Sequence, residues 1–219
     1  MQLHQLAAAA ALALGALSAQ AAITHDQAAL GAGATVVDFE SYDGLWTSGP
    51  ELIAPGITFT GDAGSELGAN NRDLGENGIW GVGNRFAASG TIGELRFTFD
   101  ALSNGAGAWV NHYAFPMDLV AQYPSLPSLS VVVSAYGDNN QIIETYTYTV
   151  ATTWDSYDDG IFLGITRDAA DIRSISFKGV GVVVDNFTMA APVPEPETYA
   201  MLLAGLAAIG TVARRRRRG

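Results

Sequence analysis

The sequence contains no cysteine in its 219 residues. This absence excludes disulfide bonds, thiol nucleophiles and thiolate-bound metals. The body of the chain, residues 22–191, is long enough to build a single hydrophobic core without covalent staples. A bound hard cation could further stabilise such a domain in place of disulfide bonds.

Basic residues are also scarce. Eleven Lys and Arg stand against 22 Asp and Glu, and five of the eleven lie together at residues 214–218. The body therefore keeps six basic residues against twenty acidic ones. Because such a body repels nucleic acid and anionic lipid, we predict no nucleic-acid partner. Its acidity suits a cation or neutral sugars.

Few residues are available for nucleophilic catalysis. Of three histidines only His25 and His112 lie in the body, and there is no Gly-x-Ser-x-Gly motif. We therefore predict that the protein is not an enzyme. The alternative is a secreted hydrolase of polysaccharides, which would hold two carboxylates about 5 to 10 Å apart across a sugar-binding cleft.

The N-terminus has the pattern of a cleaved signal peptide. An apolar stretch from Leu6 to Leu17 is too short to span a bilayer, and it is followed by small residues at Ala19 and Ala21. We predict that residues 1–21 are removed, with signal peptidase and the secretion machinery as partners. The region before the apolar stretch departs from the pattern, because it has no Lys or Arg.

The C-terminus has three parts in a fixed order. Residues 192–197 read Pro-Val-Pro-Glu-Pro-Glu, an apolar run follows from Thr198 to Ala213, and five arginines come next. The apolar run predicts a transmembrane helix of about 24 Å, slightly short of a bilayer core of about 30 Å. The arginines favour the cytoplasmic side, which places the body on the outer face of that membrane.

Together these three parts resemble the PEP-CTERM sorting signal of Gram-negative bacteria. The resemblance implies that residues 192–219 are a substrate, which a membrane-embedded exosortase recognises and removes. It also implies a transient inner-membrane anchor with a periplasmic body, followed by release to the cell surface or extracellular matrix. A permanent anchor on a proline-rich stalk is the alternative. The residues assigned to sorting are Pro194, Glu195, Pro196, Arg214, Arg215, Arg216, Arg217 and Arg218.

The body predicts an all-β domain. Thr24 and Gln27 are placed like a capping box, so one short helix is expected before Gly31. After it, short β-rich runs are separated by Gly, Asn, Asp and Pro, which favours a jelly-roll-like antiparallel β-sandwich of about nine strands. The predicted strands cover residues 35–39, 57–60, 94–99, 108–110, 129–136, 142–150, 161–166, 172–177 and 180–188.

Three carboxylates suggest a calcium site. Asp38 and Glu40 are predicted on one face of a strand, and Asp185 stands in a run that otherwise looks buried. A carboxylate on an apolar face needs a partner, and Ca²⁺ takes six to eight oxygen ligands. Such a site would tie the first and last strands together. The alternative is that these residues cap turns and bond to the backbone.

Tryptophans offer flat apolar surfaces on which sugar rings can stack. The four are Trp46, Trp80, Trp109 and Trp154, each near a loop or the end of a strand. Partial burial in the core is the alternative role for each of them. With the sorting signal, these features predict a structural, adhesive or polysaccharide-binding role in an exopolysaccharide or biofilm matrix.

Overall fold

The structure is a computed structural model and describes residues 21–70, 84–113, 130–150 and 160–191. Fourteen strands and one 3₁₀ helix lie in these residues, and the strands form two antiparallel sheets. The predicted all-β sandwich is therefore confirmed. The predicted transmembrane helix at 198–213 lies outside the described residues, and within them no helix is long and apolar enough to cross a membrane.

The larger sheet has eight strands. Its order across the sheet is β1 (Ala21–Thr24), β12 (Ile161–Arg167), β9 (Gly105–His112), β14 (Val182–Met189), β7 (Phe86–Ala88), β6 (Glu66–Ala69) and β3 (Leu45–Trp46). The eighth strand, β2 (Thr35–Val37), pairs with β14 on the side away from β9. An early strand and the last described strand are thus direct neighbours.

The smaller sheet has six strands. Its order is β11 (Ile142–Thr149), β10 (Ser130–Tyr136), β13 (Ile172–Val180), β8 (Ile92–Ser103), β5 (Ile57–Gly61) and β4 (Glu51–Ala54). The β10 and β11 strands form a hairpin, and Asn140 in the turn between them has a φ of 60°. Asn tolerates this left-handed conformation, which a tight hairpin turn requires.

The core lies between the two sheets and is built by alternation along the strands. Leu95, Phe97 and Phe99 of β8 are buried, while the residues between them face outwards and are only partly covered. Phe97 stacks on Phe187 of β14 with ring centroids 4.0 Å apart. This aromatic contact joins the middle of the smaller sheet to the middle of the larger one.

Two details differ from the sequence prediction. The helix is a single 3₁₀ turn over Gln27–Leu30, and its N-cap is Asp26, whose side chain accepts a hydrogen bond from the Ala28 N–H at 2.9 Å. Thr24 belongs to β1, because it pairs with Gly164 of β12. The predicted Thr24 capping box is therefore wrong.

The strand count is also higher than about nine. The five strands that the pattern missed are β1, β3, β4, β6 and β7, each of two to four residues. Two of them read Glu-Leu-Gly-Ala and Phe-Ala-Ala, which have little β propensity of their own. They form strands because pairing satisfies their backbone groups in a buried part of the sheet.

Candidate functional site

Asp185 is the central residue of the predicted cation site. It lies in β14 at the point where the neighbouring strand changes from β7 to β2, and the pairing with β9 shifts register there. Only 1% of Asp185 is exposed. The Nδ2 of Asn84 donates to its carboxylate at 2.9 Å, and Asn186 donates its backbone N–H at 2.6 Å and its Nδ2 at 3.0 Å. The expectation that this carboxylate needs partners is met by two asparagines.

Burial is the main influence on the charge state of Asp185. Burial raises the pKa of the Asp185 carboxyl to about 6, and the negative charges of Glu40 and Asp38 act in the same direction. The hydrogen bonds from Asn84 and Asn186 lower the pKa but do not cancel the effect of burial. The three predicted ligands therefore interact electrostatically, and no cation is needed to satisfy the hydrogen bonds of Asp185.

Asp38 and Glu40 differ from their predicted placement. The strand β2 ends at Val37, and Phe39 has a φ of 58°, so the two carboxylates do not share a strand face. Asp38 accepts a hydrogen bond from the Glu40 N–H at 3.2 Å, and Glu40 accepts one from the Arg85 N–H at 2.9 Å. Both carboxylates thus stabilise the backbone in this structure. Among the described residues no three His, Asp or Glu side chains form a ready metal cluster, and the calcium site stays a prediction.

The two described tryptophans have different surroundings. Trp109 is half-buried, donates its indole N–H to Gln27 at 3.1 Å and packs edge-on against Phe162. Trp46 is 68% exposed and lies in β3, the edge strand of the larger sheet. Trp80 and Trp154 lie outside the described residues. Of the predicted stacking residues, Trp46 alone in the described part presents most of its surface to solvent.

Two leucines that the sequence analysis did not single out are also exposed on edge strands. Leu45 precedes it in β3, and Leu52 is 65% exposed in β4, the edge strand of the smaller sheet. Four residues connect these two edge strands, so both edges lie on one side of the sandwich. We call Leu45, Trp46 and Leu52 the apolar edge. The sheet order is needed to recognise it, because Leu52 belongs to a different sheet from Leu45 and Trp46.

The sorting residues predicted at the C-terminus and Ala19 near the predicted signal cleavage site lie outside the described residues, and Ala21 is the first residue of β1. The C-terminus carries a sorting signal of exported proteins, whose tail is removed after it has entered the membrane. Residues 192–218 match the family model of the PEP-CTERM protein-sorting motif. The chain has no significant match among curated proteins.

This motif confirms the resemblance found from Pro194, Glu195, Pro196 and the arginine cluster. It implies that the protein is exported, that its C-terminus anchors it in the membrane before cleavage, and that an exosortase is its processing partner. The motif covers the tail, so what the β-sandwich does must be argued from its own surface.

Proposed function

We propose that the protein is a non-catalytic component of the cell surface or of an exopolysaccharide matrix, and that its β-sandwich binds polysaccharide through the apolar edge. The observation that carries this proposal is the 68% exposure of Trp46 on an edge strand. An indole left in water loses the free energy of burial, on the order of 2 kcal/mol for a large apolar side chain. Its flat face suits the apolar face of a sugar ring.

The charge of the body supports a neutral ligand. Twenty acidic residues against six basic ones repel polyanions and anionic lipid at long range. Neutral sugars carry no charge, so this repulsion does not oppose their approach. An exported protein that an exosortase releases from the inner membrane would meet such polymers in the matrix outside the cell.

Binding is tested with the full chain in mild detergent, by the retardation of its migration in gels that contain purified exopolysaccharide of the host or hydroxyethylcellulose. The variant is Trp46→Ala, and the control is Ile142→Ala, which removes a side chain that is 58% exposed on the opposite edge strand β11. We expect Trp46→Ala to weaken binding about tenfold, which corresponds to the loss of about 1.4 kcal/mol of apolar contact with the sugar. Equal binding by both variants and the wild type would show that the apolar edge is not the site.

The processing route has its own test. Intact mass of the native protein is measured in the envelope and in the medium, with and without the exosortase gene. We expect a mature form that lacks residues up to about Ala21 and everything beyond the Pro-Glu-Pro segment, in cells that have the gene. Any additional mass would identify a group attached at the new C-terminus. Persistence of Arg214 to Arg218 on the mature wild-type chain would favour the permanent anchor.

One observation favours the alternative of a polysaccharide hydrolase. Asp62 and Glu94 line the same surface depression, so two carboxylates face one space. Asp62 already accepts hydrogen bonds from the N–H groups of Gly64 and Gly90, which suits a residue that holds a turn. Release of reducing ends from the host exopolysaccharide, abolished by Glu94→Gln, would establish the hydrolase. The absence of any release would favour the binding protein.

A further inference from the structure

The outer side of the smaller sheet carries two rows of residues with polar side chains, and the three serines at their centre, Ser134, Ser174 and Ser176, are buried beneath their neighbours. Cross-strand pairing puts residues of β11, β10, β13, β8 and β5 opposite one another in a row that spans about 19 Å at the usual spacing of strands. The row contains Thr145, Ser134, Ser176, Arg96 and Thr60. A second row beside it contains Tyr136, Ser174, Thr98 and Thr58. We call these two rows the hydroxyl face.

Arg96 stands in the middle of the hydroxyl face and is held in place by neutral groups. Its Nε and Nη2 donate to the Ser174 hydroxyl at 3.0 and 2.7 Å, and Nη2 also donates to the Asn140 side chain. The guanidinium lies over the Tyr136 ring at 3.9 Å from its centroid. These contacts fix a long side chain that is otherwise flexible, so little conformational entropy remains to be lost when it binds a ligand.

The remaining donors of Arg96 are not used within the described part of the chain. No described residue accepts a hydrogen bond from its Nη1, and none of the described ion pairs includes Arg96, whereas Arg85, Arg167 and Arg173 each pair with a carboxylate. A guanidinium held by neutral partners with two N–H groups left over can donate both to a ligand.

A depression of about 290 Å³ adjoins this guanidinium. It is lined by Thr60, Gly61, Asp62, Glu94 and Arg96. Lys178 lies opposite Glu94 in the pairing of β13 with β8. Two cations and two carboxylates therefore share this part of the face, and their charges balance. A polyanion or a polycation would meet both signs of charge, but a ligand rich in hydroxyl groups can donate to the carboxylates and accept from the guanidinium.

We propose that the hydroxyl face binds a stretch of neutral polysaccharide, with Arg96 and Glu94 as its polar anchors over the depression. The polysaccharide would lie across the row over a length that accommodates several sugar units, in contact with Arg96, Glu94 and the accessible hydroxyl groups of Thr60 and Thr145. Each pair of neighbouring hydroxyl groups on a sugar suits the paired donors of Arg96, as it suits the two oxygens of a carboxylate. This inference rests on the proposed polysaccharide-binding function but assigns it a second surface, distinct from the apolar edge.

The test uses the full chain and gels that contain hydroxyethylcellulose or dextran, both neutral, or alginate, which is anionic. The variant Arg96→Lys keeps the charge but loses the paired donors and the planar stacking on Tyr136. Its control is Arg173→Lys, which changes the same residue type on a neighbouring strand, where Arg173 pairs with Asp138 at 2.5 Å. We expect Arg96→Lys to weaken retardation by a neutral polymer about tenfold and Arg173→Lys to leave it within about twofold.

A second variant guards against a folding defect in the first. Glu94→Gln removes the other anchor without touching the contacts of Arg96, and it should weaken binding to a similar degree. Normal binding by both Arg96→Lys and Glu94→Gln would overturn this inference, and loss of binding in Trp46→Ala alone would then leave the apolar edge as the site. Retardation by alginate only would overturn the choice of a neutral ligand. Failure to bind any of these polymers would remove both proposals.

Discussion

Each sheet has one charged side chain that is held by neutral partners, a carboxylate in the larger sheet and a guanidinium in the smaller one, and the two differ in their exposure to solvent. In the larger sheet Asp185 is a buried carboxylate whose partners are Asn84 and Asn186. In the smaller sheet Arg96 is a half-buried guanidinium whose partners are Ser174, Asn140 and the Tyr136 ring. Both charged groups rely on neutral neighbours, but water still reaches the second.

This difference shows how surroundings decide what a charged residue can do. Asp185 loses solvation, so its pKa rises to about 6 and its charge at neutral pH has an energetic cost. Arg96 keeps contact with solvent and leaves donors free of described protein partners. The charge of the carboxylate thus responds to pH near 6, whereas the guanidinium keeps its charge and its accessible donors. Four predictions test this contrast, in order of decreasing effect.

Removing the contact that joins the sheets should have the largest effect. Phe97 is fully buried and has ring contacts with Phe39, Phe59, Phe177 and Phe187. Phe97→Ala leaves a cavity at the centre of both sheets, so we expect the free energy of unfolding to fall by about 4 kcal/mol. Urea denaturation followed by tryptophan fluorescence measures it.

The control for Phe97→Ala is Leu52→Ala, which removes a side chain that is mostly exposed and should change the free energy of unfolding by less than about 0.5 kcal/mol. Similar effects of the two variants would mean that the sheets do not share one core. The two outer faces would then have to be treated as independent.

Calcium binding tests the role of the buried carboxylate Asp185. If Ca²⁺ binds Asp185 with Asp38 and Glu40, free Ca²⁺ at a hundred times its dissociation constant stabilises the fold by about 2.7 kcal/mol. Thermal unfolding at pH 7.5 with Ca²⁺ or with a chelator measures this. The stabilisation should vanish in Asp185→Asn and persist in Asp138→Asn, which changes an exposed carboxylate beside the smaller sheet. An unchanged unfolding temperature in the wild type would contradict the calcium site.

In the absence of a cation, the free energy of unfolding should depend on pH because the buried Asp185 carboxylate is unfavourable when it is charged. The folded pKa of Asp185 is about 6 and its usual value is 3.8, so its protonated form stabilises the fold at acidic pH. That contribution is complete below pH 3.8 and is lost as the pH rises through about 6. From pH 4 to pH 7 the wild type should therefore lose about 2 kcal/mol relative to Asp185→Asn.

Urea denaturation of both proteins at each pH, in the presence of a chelator, gives this difference directly. Comparison with the variant removes the contribution of the other carboxylates, which titrate in both proteins. A constant difference between the two proteins across this range would mean that Asp185 is better solvated than its burial indicates.

Much of the fold follows from alternation in the sequence. Leu95, Phe97 and Phe99 alternate in the sequence with more polar residues, which is the pattern of a half-buried strand such as β8, and threonines alternate with Tyr146 and Tyr148 as is typical of an edge strand such as β11. Irregular pairing was not predictable in this way. Ile172 and Ile175 are three residues apart and both lie in the core, because the pairing with β8 shifts between Ile172 and Ser174.

The candidate sites were predictable only in part. Asp185 stood out because a carboxylate interrupts a run of buried apolar residues, and Trp46 stood out by its residue type. Asn84 and Asn186 lie about a hundred residues apart, and nothing local marks them as partners of one carboxylate. Arg96 and Tyr136 meet because β13 lies between their strands, so their contact depends on the order of the sheet.

The smallest predicted effect concerns Arg96 and the contact that fixes its position. The guanidinium over Tyr136 is a cation–π contact at a partly exposed site, where such contacts contribute about 0.5 to 1 kcal/mol. A double-mutant cycle with Tyr136→Leu and Arg96→Met should therefore give a coupling energy in this range, measured by urea denaturation. Because both replacements keep apolar volume, the coupling isolates the interaction between the ring and the charge. A value near zero would mean that Arg96 is not held by the ring, and that the hydroxyl face lacks the prepared anchor that separates it from the buried carboxylate of the larger sheet.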